Sequence, residues 1–124
     1  MALEREIPGS PSDWLRRARS DLALAEMPLL DAVLYEDLCF HCQQAAEKAI
    51  KAVYRSNGRE FRYTHDLTEL LDGLAAHGIS IPEDVREAVD LTPFAWQALY
   101  PGPAEPVTQT EYQHAAALAE RVVK

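Results

Sequence analysis

Apolar and polar residues follow a helical period along most of the chain, and the longest such stretch runs from Leu38 to Arg55. At about 100° per residue, its small and apolar side chains gather on one side and its polar side chains on the other. The apolar side contains Leu38, Cys42, Ala45, Ala49, Ala52 and Val53, with Cys39, Ala46 and Ile50 at its edge. The polar side contains His41, Gln44, Lys48, Lys51 and Arg55, spaced three or four residues apart. The pattern predicts an amphipathic helix over 35–56 that buries one face and presents a row of hydrogen-bond donors on the other.

A shorter helix is predicted before this one. Residues 1–11 contain Pro8, Gly9 and Pro11 and are typical of an irregular lead-in. Either Ser10 or Ser12 can cap a helix from about Asp13 to Met27, which Pro28 then ends.

Capping signals predict three further helices after the turn at Asn57-Gly58. Thr64 or Asp66 can cap a third helix that ends near Gly78 and buries four leucines. A Ser-x-x-Glu box at 80–83 with Pro82 predicts a fourth, which Pro93 bends and which a short segment over 94–99 continues. After an irregular stretch at 100–106, a box at 108–111 opens the last helix, which continues through Val122. The four leucines of the third helix are Leu67, Leu70, Leu71 and Leu74.

None of the sequence shows the alternation typical of a strand. We therefore predict an all-α fold, an antiparallel up-down helical bundle of four main helices plus a short additional helix. A chain of 124 residues fits one domain, which we place at residues 12–124 after the lead-in.

The charge is unevenly distributed along the chain. The formal net charge is −8, yet residues 1–62 hold nine Lys or Arg against ten Asp or Glu, while residues 63–124 hold three against ten. This balance argues against non-specific coating of nucleic acid but leaves room for a local basic groove. No apolar run approaches the roughly 18 residues that span a bilayer. Two cysteines behind an N-terminus unlike a signal peptide favour a cytoplasmic location.

Three groups of residues are candidates for chemistry. The basic row on the central helix suits an anion or an acidic partner, although many polar helix faces are merely solvated. The C-x-x-C pair, Cys39 and Cys42, lacks the second pair that a zinc site needs and is interpreted as buried and structural, so we expect no metal and no cofactor. The connector supplies the weak catalytic candidates Arg59, Arg62 and His65, whereas Asp66 is expected mainly to cap the third helix.

Four segments together resemble the HEPN family. They are 13–25, FHCQQAAEKAIKA (40–52), THDLTELL (64–71) and AWQALYPG (95–102), and they span nearly the whole chain. The resemblance implies an antiparallel helical bundle that commonly dimerises. It also implies a nucleotide- or RNA-directed module, often encoded beside a minimal nucleotidyltransferase in toxin–antitoxin-like pairs. Many members are metal-independent endoribonucleases.

The chain departs from the ribonuclease motif of that family. Active members carry an Arg-x(4–6)-His motif late in the bundle, where this chain has Leu99 followed by Tyr100 and Pro101, with no histidine at 103–106. We therefore expect a homodimeric module that binds a nucleotide, an RNA or a nucleotidyltransferase partner. The alternatives are an endoribonuclease with a non-standard Arg/His set and a purely structural dimerisation domain. The residues expected to bind the ligand are His41, Gln44, Lys48, Lys51, His65, Asp66 and Tyr100.

Overall fold

The computed structural model describes residues 7–27, 33–97 and 106–124, apart from the side chains of residues 96 and 97. Throughout these ranges the regular secondary structure is helical, which confirms the predicted all-α fold. The helices are α1 (Pro11–Ala25), α2 (Tyr35–Ser56), α3 (Leu67–Ala76), α4 (Glu83–Arg86), a 3-10 helix (Glu87–Leu91), α5 (Phe94–Gln97) and α6 (Gln109–Val123). No helix in the described ranges is both long enough and apolar enough to cross a bilayer.

Helix α1 begins and ends earlier than its sequence predicts. Ser10 is the N-cap, because its hydroxyl accepts a hydrogen bond from the backbone N–H of Asp13 at 3.2 Å. The helix therefore starts at Pro11, which we had assigned to the lead-in, and it ends at Ala25 rather than Met27. Pro28 lies outside the described residues.

The core is built around α2. Ala45, Ala46 and Cys42 are fully buried on its inner face, where small side chains let neighbouring helices approach closely. Val53 was expected on that face, but it lies at its margin and is 38% exposed. Burial raises the pKa of both cysteine thiols to about 12, which agrees with a structural role.

Two predicted capping motifs are confirmed. Asp66 caps α3 by accepting hydrogen bonds from the backbone N–H groups of Thr68 and Glu69 at 3.0 and 3.4 Å. At α6, Thr108 and Glu111 form the reciprocal capping box.

The fourth helix differs from its prediction. Pro82 occupies the N-cap position without a side-chain cap, so the expected Ser80–Glu83 box does not form. The α-helix has only four residues before the chain tightens into a 3-10 helix. In that segment Ala88 and Leu91 are both fully buried, and a three-residue spacing stacks side chains in 3-10 geometry. The core therefore favours the tighter helix here.

The connector after α2 folds back along it. Phe61 packs against Tyr54, and His65 reaches Glu47, nearly two turns before Tyr54. Helix α1 runs antiparallel to α2, because Trp14 lies near Lys51 whereas Asp21, later in α1, contacts the earlier His41. Helix α1 and the connector thus border the polar face of α2 on which the candidate residues lie. Helix α6 also packs against α2 and starts at the same end, as the stacked pair Tyr35 and Tyr112 shows.

Candidate functional site

Two buried carboxylates organise the polar face of α2. Asp21, from α1, is 7% exposed, and Glu47, from α2 itself, is 3% exposed. Each carboxylate binds one lysine and one histidine. We call these groups the Asp21 cluster (Asp21, His41, Lys48) and the Glu47 cluster (Glu47, Gln43, Lys51, His65).

The Asp21 cluster joins α1 to α2. One carboxylate oxygen of Asp21 accepts a hydrogen bond from Nζ of Lys48 at 2.6 Å, and the other accepts one from Nδ1 of His41 at 2.9 Å. The side chains of Lys48 and His41 remain 25% and 32% exposed. An ammonium group has three N–H donors and an imidazole has a second nitrogen on the far side of its ring. The cluster can therefore hold its own carboxylate and still offer polar atoms to a ligand.

The Glu47 cluster joins α2 to the connector. The Glu47 carboxylate accepts hydrogen bonds from Nζ of Lys51 at 2.9 Å, Nδ1 of His65 at 2.7 Å and Nε2 of Gln43 at 3.2 Å. A buried carboxylate with three such donors satisfies the rule that buried charges are paired and hydrogen-bonded.

Lys51 has a different position from the one its sequence predicts. The sequence predicts Lys51 among the exposed donors on the polar side of α2, yet its side chain is only 7% exposed. Its Nζ lies 5.5 Å from the ring centre of Trp14 and 5.0 Å from that of Phe61. Lys51 therefore supports the site from within, where its charge balances that of Glu47.

The structure brings four of the predicted ligand residues to this face and separates others. His41, Gln44 and Lys48 are partly exposed on α2, and His65, whose side chain is 51% exposed, is held against this helix by Glu47 and Gln43. Asp66 uses its carboxylate to cap α3. Tyr100 lies outside the described residues, as does Leu99 in the altered ribonuclease motif.

Two residues central to the site were missed from sequence. Gln43 is fully buried and links the cluster by donating from Nε2 both to Glu47 and, at 3.0 Å, to the backbone carbonyl of His65. Its Oε1 accepts a hydrogen bond from Gln44 at 2.7 Å. Asp21 did have a signal, because it occupies the apolar stripe of α1 between Ala18 and Ala25. A charged residue at a core-facing position needs a partner that balances its charge and accepts or donates a hydrogen bond.

The weak catalytic candidates of the connector lie at the rim. Arg62 donates to Glu69 at 2.9 Å, and its side chain is 80% exposed. Arg59 is exposed and forms no ion pair with the part of the chain that the structure describes. Within the same ranges, no group of three or more His, Cys, Asp or Glu residues is arranged to hold a metal ion.

Comparisons with known proteins place the chain in a family. The family model described as HEPN domain matches residues 11–124. The crystal structure of TT1696 from Thermus thermophilus is similar, with 32% identity, a TM-score of 0.78, and coverage of 91% of this chain and 92% of that one. The crystal structure of ST0689, an archaeal HEPN homologue, has 26% identity, a TM-score of 0.72 and 92% coverage of both chains. None of the curated proteins matched the chain.

Proposed function

The chain belongs to the HEPN family, and on that premise we propose that it is a binding module for a phosphate-bearing ligand, either a nucleotide or an RNA. The ligand binds at the α2 face formed by His41, Gln44, Lys48 and His65. The observation that carries this proposal is the paired arrangement of the two clusters. In each, a buried carboxylate fixes a partly exposed histidine through Nδ1.

This arrangement favours phosphate because its donors are oriented before the ligand arrives. The second ring nitrogen of His41 lies opposite the nitrogen that contacts Asp21. Lys48 adds a charge-assisted donor between α1 and α2. Side chains already held in place lose less conformational entropy on binding than flexible ones. The two carboxylates balance the charges of Lys48 and Lys51, so binding depends on these oriented donors.

Equilibrium binding tests the proposal. Wild-type protein is titrated with ATP and with a short RNA, alongside Lys48→Ala and the matched control Lys124→Ala, which removes an exposed lysine after α6 that is paired with Glu120. We expect Lys48→Ala to weaken binding about 10-fold, the loss of one charge-assisted hydrogen bond, while the control binds like wild type. Absence of binding to both ligands, or equal binding by both variants, contradicts the proposal.

We further propose that the protein is the HEPN half of a HEPN/nucleotidyltransferase pair and forms a homodimer in the cytoplasm. Family membership and the departure from the ribonuclease motif support this assignment. Light scattering on the purified protein measures its mass, and co-purification with a nucleotidyltransferase encoded beside it tests the pair. A monomer that does not retain that protein contradicts both statements.

A second candidate function is metal-independent cleavage of RNA. It is favoured by the 2.9 Å contact of His41 with the buried Asp21 and the 2.7 Å contact of His65 with the buried Glu47, since a carboxylate bound to one imidazole nitrogen fixes the orientation of the ring that transfers the proton. In this reaction His65 or His41 accepts the proton of the 2′-hydroxyl as its oxygen attacks phosphorus, and the 5′ oxygen leaves with a proton from water. Arg59 or Arg62 stabilises the added negative charge.

Incubation of RNA with EDTA-treated protein separates this candidate from simple binding. Cleavage that is lost in His65→Ala and retained in His77→Ala, an exposed histidine at the end of α3, supports it. Intact RNA with wild-type protein excludes it.

A further inference from the structure

We propose that the connector patch, formed by Arg55, Arg59, Arg62 and Tyr63 around Phe61, binds single-stranded nucleic acid. A base stacks on Tyr63 and the arginines contact neighbouring phosphates. The inference rests on the proposed function for the class of ligand, but it assigns a separate surface at the end of α2 and along the return connector.

Phe61 holds the patch in place against the helices. Its ring packs edge-on against Trp14 from α1 and Tyr54 from α2, with ring centres 5.4 and 6.1 Å apart. Two cations also lie over this ring, Lys51 at 5.0 Å and Arg55 at 5.2 Å. Contacts from two helices therefore hold the middle of the connector.

Tyr63 extends outward from Phe61. It is 95% exposed, the most exposed of the large hydrophobic side chains in the described ranges, although its ring is 6.5 Å from that of Phe61. An exposed aromatic ring beside cationic groups is the arrangement on which proteins stack unpaired bases.

The arginines give the patch its charge. Residues 54–63 contain three arginines and one acidic residue, Glu60, in a chain with a net charge of −8. Arg55 and Arg59 form no ion pair within the described residues. Arg62 pairs with Glu69, but both side chains are exposed, and such pairs contribute little, so a phosphate can replace the carboxylate. The patch therefore attracts anions where the chain as a whole repels them.

Tyr63 also favours nucleic acid over a free anion. A free phosphate uses the arginines but gains nothing from an exposed ring. In a duplex the base faces are already stacked, so only an unpaired base can use it. The geometry thus points to single strands, and both RNA and DNA carry the required groups.

The test measures fluorescence anisotropy of labelled U-RNA of about ten nucleotides, a length in the range that a single stacking platform covers, with the matching T-DNA and a duplex, at several salt concentrations. We expect Tyr63→Ala to weaken binding to the single strands about 10-fold without changing the salt dependence, whereas Tyr63→Phe binds like wild type because it keeps the ring. Arg59→Ala makes the negative slope of log K against log[salt] shallower by about 0.7, the value for one phosphate contact on a single strand. Arg121→Ala is the charge-matched control, since it removes an exposed arginine bound to Glu87 on another part of the bundle.

The outcomes separate this inference from the proposed function. If Tyr63→Ala and Arg59→Ala bind like wild type while Lys48→Ala loses affinity, the connector patch is excluded and the α2 face stands. Equal affinity for duplex and single strands also overturns the inference. If neither nucleotides nor oligonucleotides bind the wild-type protein, the proposed function fails as well. Once single-strand binding is established, the preference for the U-RNA or the T-DNA shows whether the ligand is RNA or DNA.

Discussion

The carboxylate of Glu47 accepts a hydrogen bond from Nδ1 of His65 at 2.7 Å, although the two residues are 18 positions apart. The contact fixes the return connector against α2. It also places an exposed histidine beside the polar row, so one buried charge serves both the fold and the candidate site.

Loss of that charge has a large expected effect on stability. In Glu47→Ala, Lys51 stays buried without its carboxylate, so we expect the free energy of unfolding to fall by about 3 kcal/mol. Urea unfolding measures this change. Glu120→Ala, which breaks the exposed pair with Lys124, is the control and should change stability by less than about 0.5 kcal/mol.

A second variant separates the ion pair from general damage to the core. Glu47→Leu combined with Lys51→Met removes both charges at similar volume, and it should recover most of the stability lost in Glu47→Ala. If the double variant is as unstable as the single one, the pairing of these two charges is not what the site depends on.

Gly73 and Tyr54 are coupled across the α2–α3 contact. A Cβ added at Gly73 would overlap with Oη of Tyr54, which is itself bound to the carbonyl of Leu70. We expect Gly73→Ala to destabilise the wild type, although alanine favours helices. In a Tyr54→Phe background the nearest remaining atom is Cζ of the ring, at an ordinary contact distance of 3.4 Å from the added Cβ. The same substitution should then raise the free energy of unfolding by about 0.5 kcal/mol. Thermal unfolding of the four proteins tests this reversal, and an unchanged sign in both backgrounds contradicts it.

Asp13, at the start of α1, makes the stability of the fold depend on pH. A hydrogen bond from the backbone N–H of Gly9, followed by contacts with Arg16 and Arg17, lowers the pKa of Asp13 from 3.8 to about 2. A depressed pKa means that the carboxylate stabilises the folded state above about pH 4, and that this contribution is lost as pH falls towards about 2. Urea titrations between about pH 5 and pH 2 should therefore show a shallower acid loss in Asp13→Asn than in wild type. If the stability of both proteins falls equally as pH is lowered, the lowered pKa of Asp13 is contradicted.

The two cysteine thiols should be unreactive in the folded protein. Cys39 and Cys42 are fully buried, and burial raises their pKa to about 12, so almost no thiolate exists near neutral pH. We expect a thiol reagent to label both cysteines rapidly in denaturant and at least about 100-fold more slowly in buffer. Rapid labelling of the native protein would place one of them at the surface.

Local features of the sequence predicted most of the fold because helix periods and caps depend on residues a few positions apart. The caps at Asp66 and Thr108 are of this kind. The 3-10 helix after Arg86 was not predictable in this way, because burial against other helices selects it.

The candidate site was predicted less completely, since its key contacts join distant parts of the chain. Lys51 lies on the polar side of α2, and it is buried where α1 and the connector bring Trp14 and Phe61 close to its ammonium group. The pairing of Asp21 with Lys48 likewise spans 27 residues. Sequence alone identified the right helix face but not Asp21, which reaches it from another helix.

The chain's four histidines provide the most direct test of the central claim, that the carboxylate-held face of α2 binds a phosphate-bearing ligand. His41 and His65 belong to the two clusters, whereas His77 at the end of α3 and His114 on α6 are exposed elsewhere. Imidazole NMR signals followed during titration with ATP or U-RNA should move for His41 and His65 and stay in place for His77 and His114. If no imidazole signal moves, or if all four move alike, the account is contradicted.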